Sequence, residues 1–254
     1  MREDLPGILS GAQSLDEIVA YPWPTNDLFD YSGLRAQCAR WDEFALLYGF
    51  ADVWERPALV RGWENMLVDM VERPDWAHWL CRLFTDFYME EYTRAMEASG
   101  GRIDLFLLLT DLGTQRGPLI SRPMFREFVA PYLRDMIDCI HGLGAKVFYH
   151  SCGDIRLFLP DLLDMGVDLL DPIQPVNAGM APEALAAACG GRVAFHGGID
   201  TQGVLPFGTP EQVRAEARRY ADTLGPAGGY ILAPAHLFQP EVPPANILAL
   251  YDID

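Results

Sequence analysis

From about residue 100 to its end, the chain alternates short apolar runs with amphipathic stretches, and that alternation limits its possible folds more than any other feature. The run "IDLFLLLTD" (103–111) is apolar almost throughout, as in a strand buried on both faces. The stretch after it, "SRPMFREFVAPYLRDMIDCI", sets Phe125, Phe128, Tyr132, Met136 and Ile140 along one helical face. Strand "AKVFYHSC", helix "LFLPDLLDMG", strand "VDLLDP", helix "PEALAAAC", strand "RVAFHGG", a helix from residue 210, strand "GYILAPAH" and helix "PPANILALY" follow in turn. Near-continuous apolar strands separated by helices predict an α/β fold whose parallel sheet is covered by helices.

Local signals set the expected boundaries. Ser121 is placed to cap a helix, Pro131 to kink or divide it, and "GLG" at 142–144 to close it. Thr209, Pro210 and Gln212 spell a capping box at the start of the helix from residue 210. In the first hundred residues, "AYPWPTND" reads as a loop and "FALLYGF" (44–50) as a strand. Residues 53–98 read as a helical region that Pro57 and Pro74 divide. The strand candidates are therefore 44–50, 103–110, 145–151, 167–171, 193–197 and 229–235. With no linker, repeat or low-complexity tract, 1–254 reads as one domain: a mostly helical portion to residue 100, then regular βα units over 101–254.

Composition narrows the partners. The 254 residues carry 36 Asp and Glu against 19 Lys and Arg, a formal net charge of -17 that repels polyanions and argues against nucleic acid. Five cysteines, odd in number and without CxxC spacing, predict free thiols in a reducing compartment. The opening "MREDLPGILSGAQSLDE" has no apolar signal core, and no stretch is long enough to cross a bilayer. A soluble, cytoplasmic protein acting on a small molecule is expected, with no membrane partner.

Polar groups stand where the apolar strands run out: Asp111, His150 with Cys152, Asp171 with Gln174, His196 with Asp200, and His236. Ligands of parallel α/β folds bind at the carboxyl ends of the strands, because the following loops converge there. Each position alone has a plainer reading, as a turn cap or a satisfied core histidine, but five strand ends together point to a functional site. Strand alternation puts His150 and Cys152 on one face and Tyr149 and Ser151 on the other, so the imidazole and thiol can reach one metal ion. Cys189, in an Ala-rich helix, reads as packing. Gly197 and Gly198 lack a dinucleotide or P-loop spacing and read as allowing close backbone approach, with a ligand as one candidate.

The segments "DLGTQRGPLISRPMFREFVAPYLRDMID", "KVFYHSCG", "GVDLLDPIQP", "VAFHGGIDTQGVLPFGTPEQVRAE" and "GGYILAPAHLFQPEVPPANILALY" resemble the uroporphyrinogen decarboxylase superfamily, in the same order, from "AYPWP" near residue 21 onward. The resemblance implies a TIM-type (β/α)8 barrel with its site at the carboxyl rim of the strands. Full-length relatives carry two strands before the segment equivalent to "AYPWP". The expected barrel is therefore incomplete, with about six parallel strands, and a second copy or another chain is expected to cover the open wall.

That superfamily holds two chemistries. The branch similar to methylcobalamin:coenzyme M methyltransferases binds zinc through a His-x-Cys pair and a later cysteine. Here His150–Ser151–Cys152 matches the pair, and His236 in "LAPAH" stands at the later position. This likeness implies zinc on His150, Cys152 and His236, and methyl transfer with a methylated corrinoid or corrinoid protein. Asp111 and Asp171 would then orient the site or handle a proton, and Gln174 and His196 would contact substrate. The decarboxylase branch uses a strand-end aspartate without a cofactor, plus arginines in an N-terminal "RQAGRY"-type motif that is absent here. In that alternative Asp111 is the acid-base group and Arg116 and Arg122 receive an anionic substrate such as a porphyrinogen. A non-catalytic binding subunit or fragment is the third expectation.

Overall fold

The computed structural model describes residues 7–175 and 178–253, so the first six residues of the N-terminal stretch read above lie outside it. The chain divides into two compact units, Met1–Thr110 with Ser121–Val147, and Asp111–Ile120 with Phe148–Asp254.

The first unit opens with helices α1 (Leu15–Val19) and α2 (Leu34–Ala39), then strand β1 (Leu47–Ala51). Helices α3 (Glu55–Arg61), α4 (Trp63–Glu72) and α5 (Pro74–Ser99) follow, then β2 (Leu105–Leu109), α6 (Arg122–Phe128) and α7 (Ala130–Gly142). Pro74 starts α5 and Pro131 lies in the first turn of α7, so both divide helices as expected. Pro57 does not: it sits in the first turn of α3, where its missing N–H leaves no bond unmade. The break falls instead at Gly62, whose φ of +90° is the left-handed conformation that glycine alone adopts readily.

β1 and β2 pair in parallel, but the register shifts between Tyr48 and Ala51. Gly49 makes the shift feasible, since a Cβ there would lie 2.5 Å from the Tyr92 ring. The fully buried Tyr92 hydroxyl accepts a hydrogen bond from the Ala51 N–H at 2.8 Å and donates one to the Leu107 carbonyl, which closes the gap in the ladder. Just past β1, the buried Asp52 carboxylate accepts from the Trp54, Glu55 and Arg56 N–H groups at 3.1, 2.8 and 2.9 Å and anchors the start of α3. Phe44, Leu47 and Phe50 are exposed beside these buried groups.

Strand β3 (Lys146–His150) begins in the first unit and ends in the second. The second unit continues with α8 (Leu159–Met165), β4 (Leu169–Asp171), α9 (Pro182–Cys189), β5 (Ala194–His196), α10 (Val204–Phe207), α11 (Pro210–Gly228), β6 (Tyr230–Ile231) and α12 (Pro244–Tyr251). β4 pairs in parallel with β3 and with β5, and β5 with β6. Gly166 and Gly190, both left-handed, end α8 and α9, and the capping box at Thr209 and Gln212 is complete. Tyr149, Phe158, Phe195 and Tyr220 fill the core, with Cys189 buried nearby in the sequence of α9.

All six strand candidates are strands, each shorter than its apolar run, and every pairing described is parallel. The largest difference is at 229–235, where β6 spans two residues. The pairing resumes as an isolated bridge between Pro234 and Ile199, in which the Ile199 N–H donates to the Ala233 carbonyl at 3.3 Å and the Ala235 N–H to the Ile199 carbonyl at 2.8 Å, so Pro234 sits where no N–H is needed. The paired glycines serve the fold itself. A Cβ on Gly198 would lie 2.4 Å from the Tyr220 ring, and one on Gly197 would lie 2.9 Å from the Pro234 carbonyl oxygen. The close backbone approach read from the sequence is thus to the protein's own groups, which corrects the ligand reading. Among the described residues no helix is long and apolar enough to cross a membrane, and all five cysteines are free.

Candidate metal and catalytic site

Parallel register brings the polar strand tips level. His150, the last residue of β3, pairs with Asp171, the last of β4. Leu170 pairs with Phe195, so the next residues, Asp171 and His196, also stand abreast. The result is an imidazole, a carboxylate and an imidazole on three neighbouring strand ends. His150 Nδ1 donates to Asp171 Oδ2 at 2.5 Å, and His196 Nδ1 donates to Asp171 Oδ1 at 2.5 Å. An ionised carboxylate can only accept, so both rings carry their proton on Nδ1 at this contact.

The charges follow from these bonds. Burial raises the Asp171 pKa, but the hydrogen bonds from His150 and His196 outweigh it and hold the carboxyl below its ordinary value. Burial likewise opposes charge on His150, yet its bonds to Asp171 and Cys152 win and push its pKa up to about 10. In the metal-free site, His150 and Asp171 therefore form an ion pair at neutral pH.

With Nδ1 committed, His150 Nε2 is the nitrogen left for Cys152 Sγ, 3.5 Å away, and for Asp111 Oδ1, 3.9 Å away. Cys152 is held from both sides. Ser151, buried on the opposite face, accepts the Leu112 N–H at 2.9 Å through its hydroxyl, and Asp111 Oδ1 accepts the Cys152 N–H at 2.8 Å. Segments 111–120 and 151–156 meet backbone to backbone: a Cβ on Gly153 would lie 2.6 Å from the Gly113 carbonyl carbon. Gln174 Oε1 takes the Gly153 N–H at 2.6 Å and fixes this turn.

One donor atom from each of Asp111, His150 and Cys152 lies within 4.8 Å of the others, a group able to hold a metal ion. Zinc bonds of about 2.0–2.3 Å to N, O and S imply tetrahedral donor separations of roughly 3.3–3.8 Å. The observed 3.5 Å for nitrogen to sulfur falls in that range, whereas 3.9 Å for nitrogen to oxygen exceeds the roughly 3.3–3.5 Å of an N–Zn–O pair, so the carboxylate would close in by about 0.5 Å on a bound ion. Histidine, thiolate and carboxylate are also the donor types zinc takes, so the residues present fit the ion.

The site thus gathers Asp111, His150, Cys152, Asp171, Gln174 and His196, all within the second unit. His236 is exposed, in a bend two residues beyond Pro234, and is not in the donor group. Arg116 is exposed on segment 111–120, and Arg122 opens α6 in the first unit. Sequence reasoning passed over Ser151 as a contributor. Its signal was the alternation that turned it away from His150 and into the core.

The comparisons with known proteins follow the same lines. The family model described as uroporphyrinogen decarboxylase (URO-D) matches residues 57–253. The uroporphyrinogen decarboxylase of Azoarcus sp. (strain BH72) is 26% identical over 186 residues, 71% of this chain and 48% of that protein. That of Burkholderia thailandensis is 36% identical over 96 residues, 38% of this chain and 25% of that protein. The chain spans about half the length of the curated relatives with the longer matches. Among solved structures, a methyltransferase from Methanosarcina mazei superposes with a TM-score of 0.66 at 17% identity, covering 82% of this chain and 57% of that one. At that identity the likeness is one of fold, and it fits six parallel strands of an incomplete barrel. Motif order, strand topology and a family match across most of its length agree: the chain belongs to the uroporphyrinogen decarboxylase family.

Proposed function

We propose that the strand-tip cluster is a zinc site for methyl transfer to a thiol or similar small acceptor, with a methylated corrinoid, free or protein-borne, as the donor. One observation carries this reading: the His150–Cys152 pair, 3.5 Å apart, with His150 Nδ1 pinned to Asp171 at 2.5 Å. A carboxylate behind a metal-ligating histidine fixes its tautomer and raises its basicity. Zinc held there supplies Lewis acidity, keeping an acceptor thiol as thiolate at neutral pH. The residues around it have separable tasks. Asp171 holds the protons on His150 Nδ1 and His196 Nδ1, so each ring keeps Nε2 for the reaction side. Asp111 fixes the Cys152 backbone, and Gln174, with Oε1 on Gly153, offers its amide N–H2 to substrate.

The wider proposal places this activity in a soluble cytoplasmic enzyme. A second copy of the chain or another chain covers the exposed Phe44, Leu47 and Phe50.

A second reading, cofactor-independent decarboxylation with Asp111 as the acid-base group, is favoured by the curated relatives, which carry the name uroporphyrinogen decarboxylase. Asp111 Oδ1 is already engaged by the Cys152 N–H in that case, and Arg116 lies exposed on the same segment as a candidate anion contact.

Zinc per chain and methyl transfer from methylcobalamin to a panel of thiols, measured on wild type and Cys152→Ser, test the two. Near-stoichiometric zinc, with metal and activity both lost in the variant, is expected. Methyl transfer by zinc-free wild type would remove the metal from the first reading, and zinc-independent decarboxylation of uroporphyrinogen without methyl transfer would replace it with the second.

A further inference from the structure

We infer that Asp111, and not His236, is the third protein ligand of the metal bound by His150 and Cys152, an inference that rests on the zinc reading above. Asp111 Oδ1 lies 3.9 Å from His150 Nε2, and a donor atom of each of the three residues falls within 4.8 Å of the rest. Its carboxylate is tied to the Cys152 N–H at 2.8 Å, so ligand and ligand backbone move as one piece. A carboxylate has about four lone-pair positions, so that bond leaves room for coordination. His236 is outside this group and exposed.

Charge supports the same assignment. The His150 and Asp111 side chains are only 19% and 16% exposed, so a net charge here is poorly solvated. One thiolate and one carboxylate neutralise a divalent ion. The mixed N, S and O donor set is also less thiophilic than a site with two thiolates, and it accepts cobalt(II) as well as zinc.

The test uses the full chain loaded with cobalt(II), whose visible d–d bands report ligand type and whose near-ultraviolet charge-transfer band reports thiolate. Zinc affinity is measured in parallel by competition with a chromophoric chelator. Wild type should bind one ion with a charge-transfer band, and Cys152→Ser should lose that band. His236→Ala should keep zinc affinity within about threefold, whereas Asp111→Asn should weaken it by about 100-fold or more and shift the d–d bands. The asparagine keeps an acceptor oxygen for the Cys152 N–H, and circular dichroism of the metal-free variant checks that the fold survives. If that variant unfolds, Asp111→Glu replaces it and should shift the d–d bands; an unchanged spectrum would overturn the inference. Normal binding by Asp111→Asn overturns it whatever His236→Ala does. Large losses in both variants overturn it as well, because His236 is then a ligand. Failure of wild type to bind either metal is a different result, and it removes the zinc reading itself.

Discussion

Asp171 holds two imidazoles at once, so replacing it measures how much of the site's order comes from a single carboxylate. Both hydrogen bonds are 2.5 Å long, and the Asp171, His150 and His196 side chains are 12%, 19% and 26% exposed. Asp171→Ala removes both acceptors and leaves a protonated His150 without its counter-charge. Breaking a buried pair in this way costs about 3–5 kcal/mol, and partial exposure here puts the expectation near the lower end, about 3 kcal/mol. Asp171→Asn keeps the shape. Its amide oxygen can accept from one ring, but its N–H2 must donate to the other, whose Nδ1 then has to give up its proton. That variant loses charge assistance and keeps geometry, for a loss of about 1–2 kcal/mol. Urea unfolding of the metal-free proteins at neutral pH, followed by circular dichroism, should rank wild type above Asp171→Asn above Asp171→Ala. On the zinc reading, the asparagine should also weaken zinc binding about 10- to 100-fold, because the partner that orients His150 is poorer. Asp171→Ala within about 0.5 kcal/mol of wild type would refute the reasoning, since a surface substitution of no structural consequence does as much. Other contacts would then be holding the two rings.

The site was readable to the extent that it lies on strand tips. In a parallel sheet neighbouring strands end at similar heights, so polar residues closing "KVFYH", "LLD" and "AFH" had to meet. The pattern could not say that Asp171 stands between the two histidines. That follows from strand order, β3 beside β4 beside β5, which no local signal encodes. Asp111 was readable as a strand-end carboxylate, but its bond to the Cys152 N–H depends on two loops packing across Gly113 and Gly153, a contact 41 residues apart in the chain. His236 was readable as a polar strand end, but its role as a metal ligand came from family likeness alone, and it lies exposed and outside the donor group. Helix starts were well signalled, because a cap is a local bond, as at Ser121 and Thr209. The break between α3 and α4 was misread because Pro57 drew attention from Gly62, and only the backbone shows which of the two carries the turn. The bulge in β1 was unreadable for the opposite reason: its stabilising group, Tyr92, comes from a helix more than 40 residues away.

Two further predictions concern the first unit. Tyr92→Phe deletes the hydroxyl that accepts from the buried Ala51 N–H and donates to the half-buried Leu107 carbonyl, leaving the Ala51 N–H without that acceptor. A loss of about 2–4 kcal/mol in urea unfolding is expected, and a loss below about 0.5 kcal/mol would show that the β1 bulge does not need the hydroxyl. Asp52 predicts a pH dependence. Burial pushes its carboxyl up to about 7, against the downward pull of the Trp54 and Glu55 N–H groups, whereas in the unfolded chain it returns to about 4. Because the folded value is the higher one, the native protein holds a proton that the unfolded chain releases between those two values. The contribution of this group is therefore fully present below about pH 4 and is lost as pH rises through about 7, with a slope of at most about 1.4 kcal/mol per pH unit. Asp52→Asn keeps an acceptor oxygen for the start of α3 but has no proton to lose, so its stability should be flatter across that window. Urea midpoints for both proteins, taken at intervals from roughly pH 4.5 to 7.5, give the comparison. Wild type should lose ground to the variant as the pH rises. A difference that stays constant, or one that grows in favour of wild type, would mean that the Trp54, Glu55 and Arg56 N–H groups keep Asp52 ionised despite its burial.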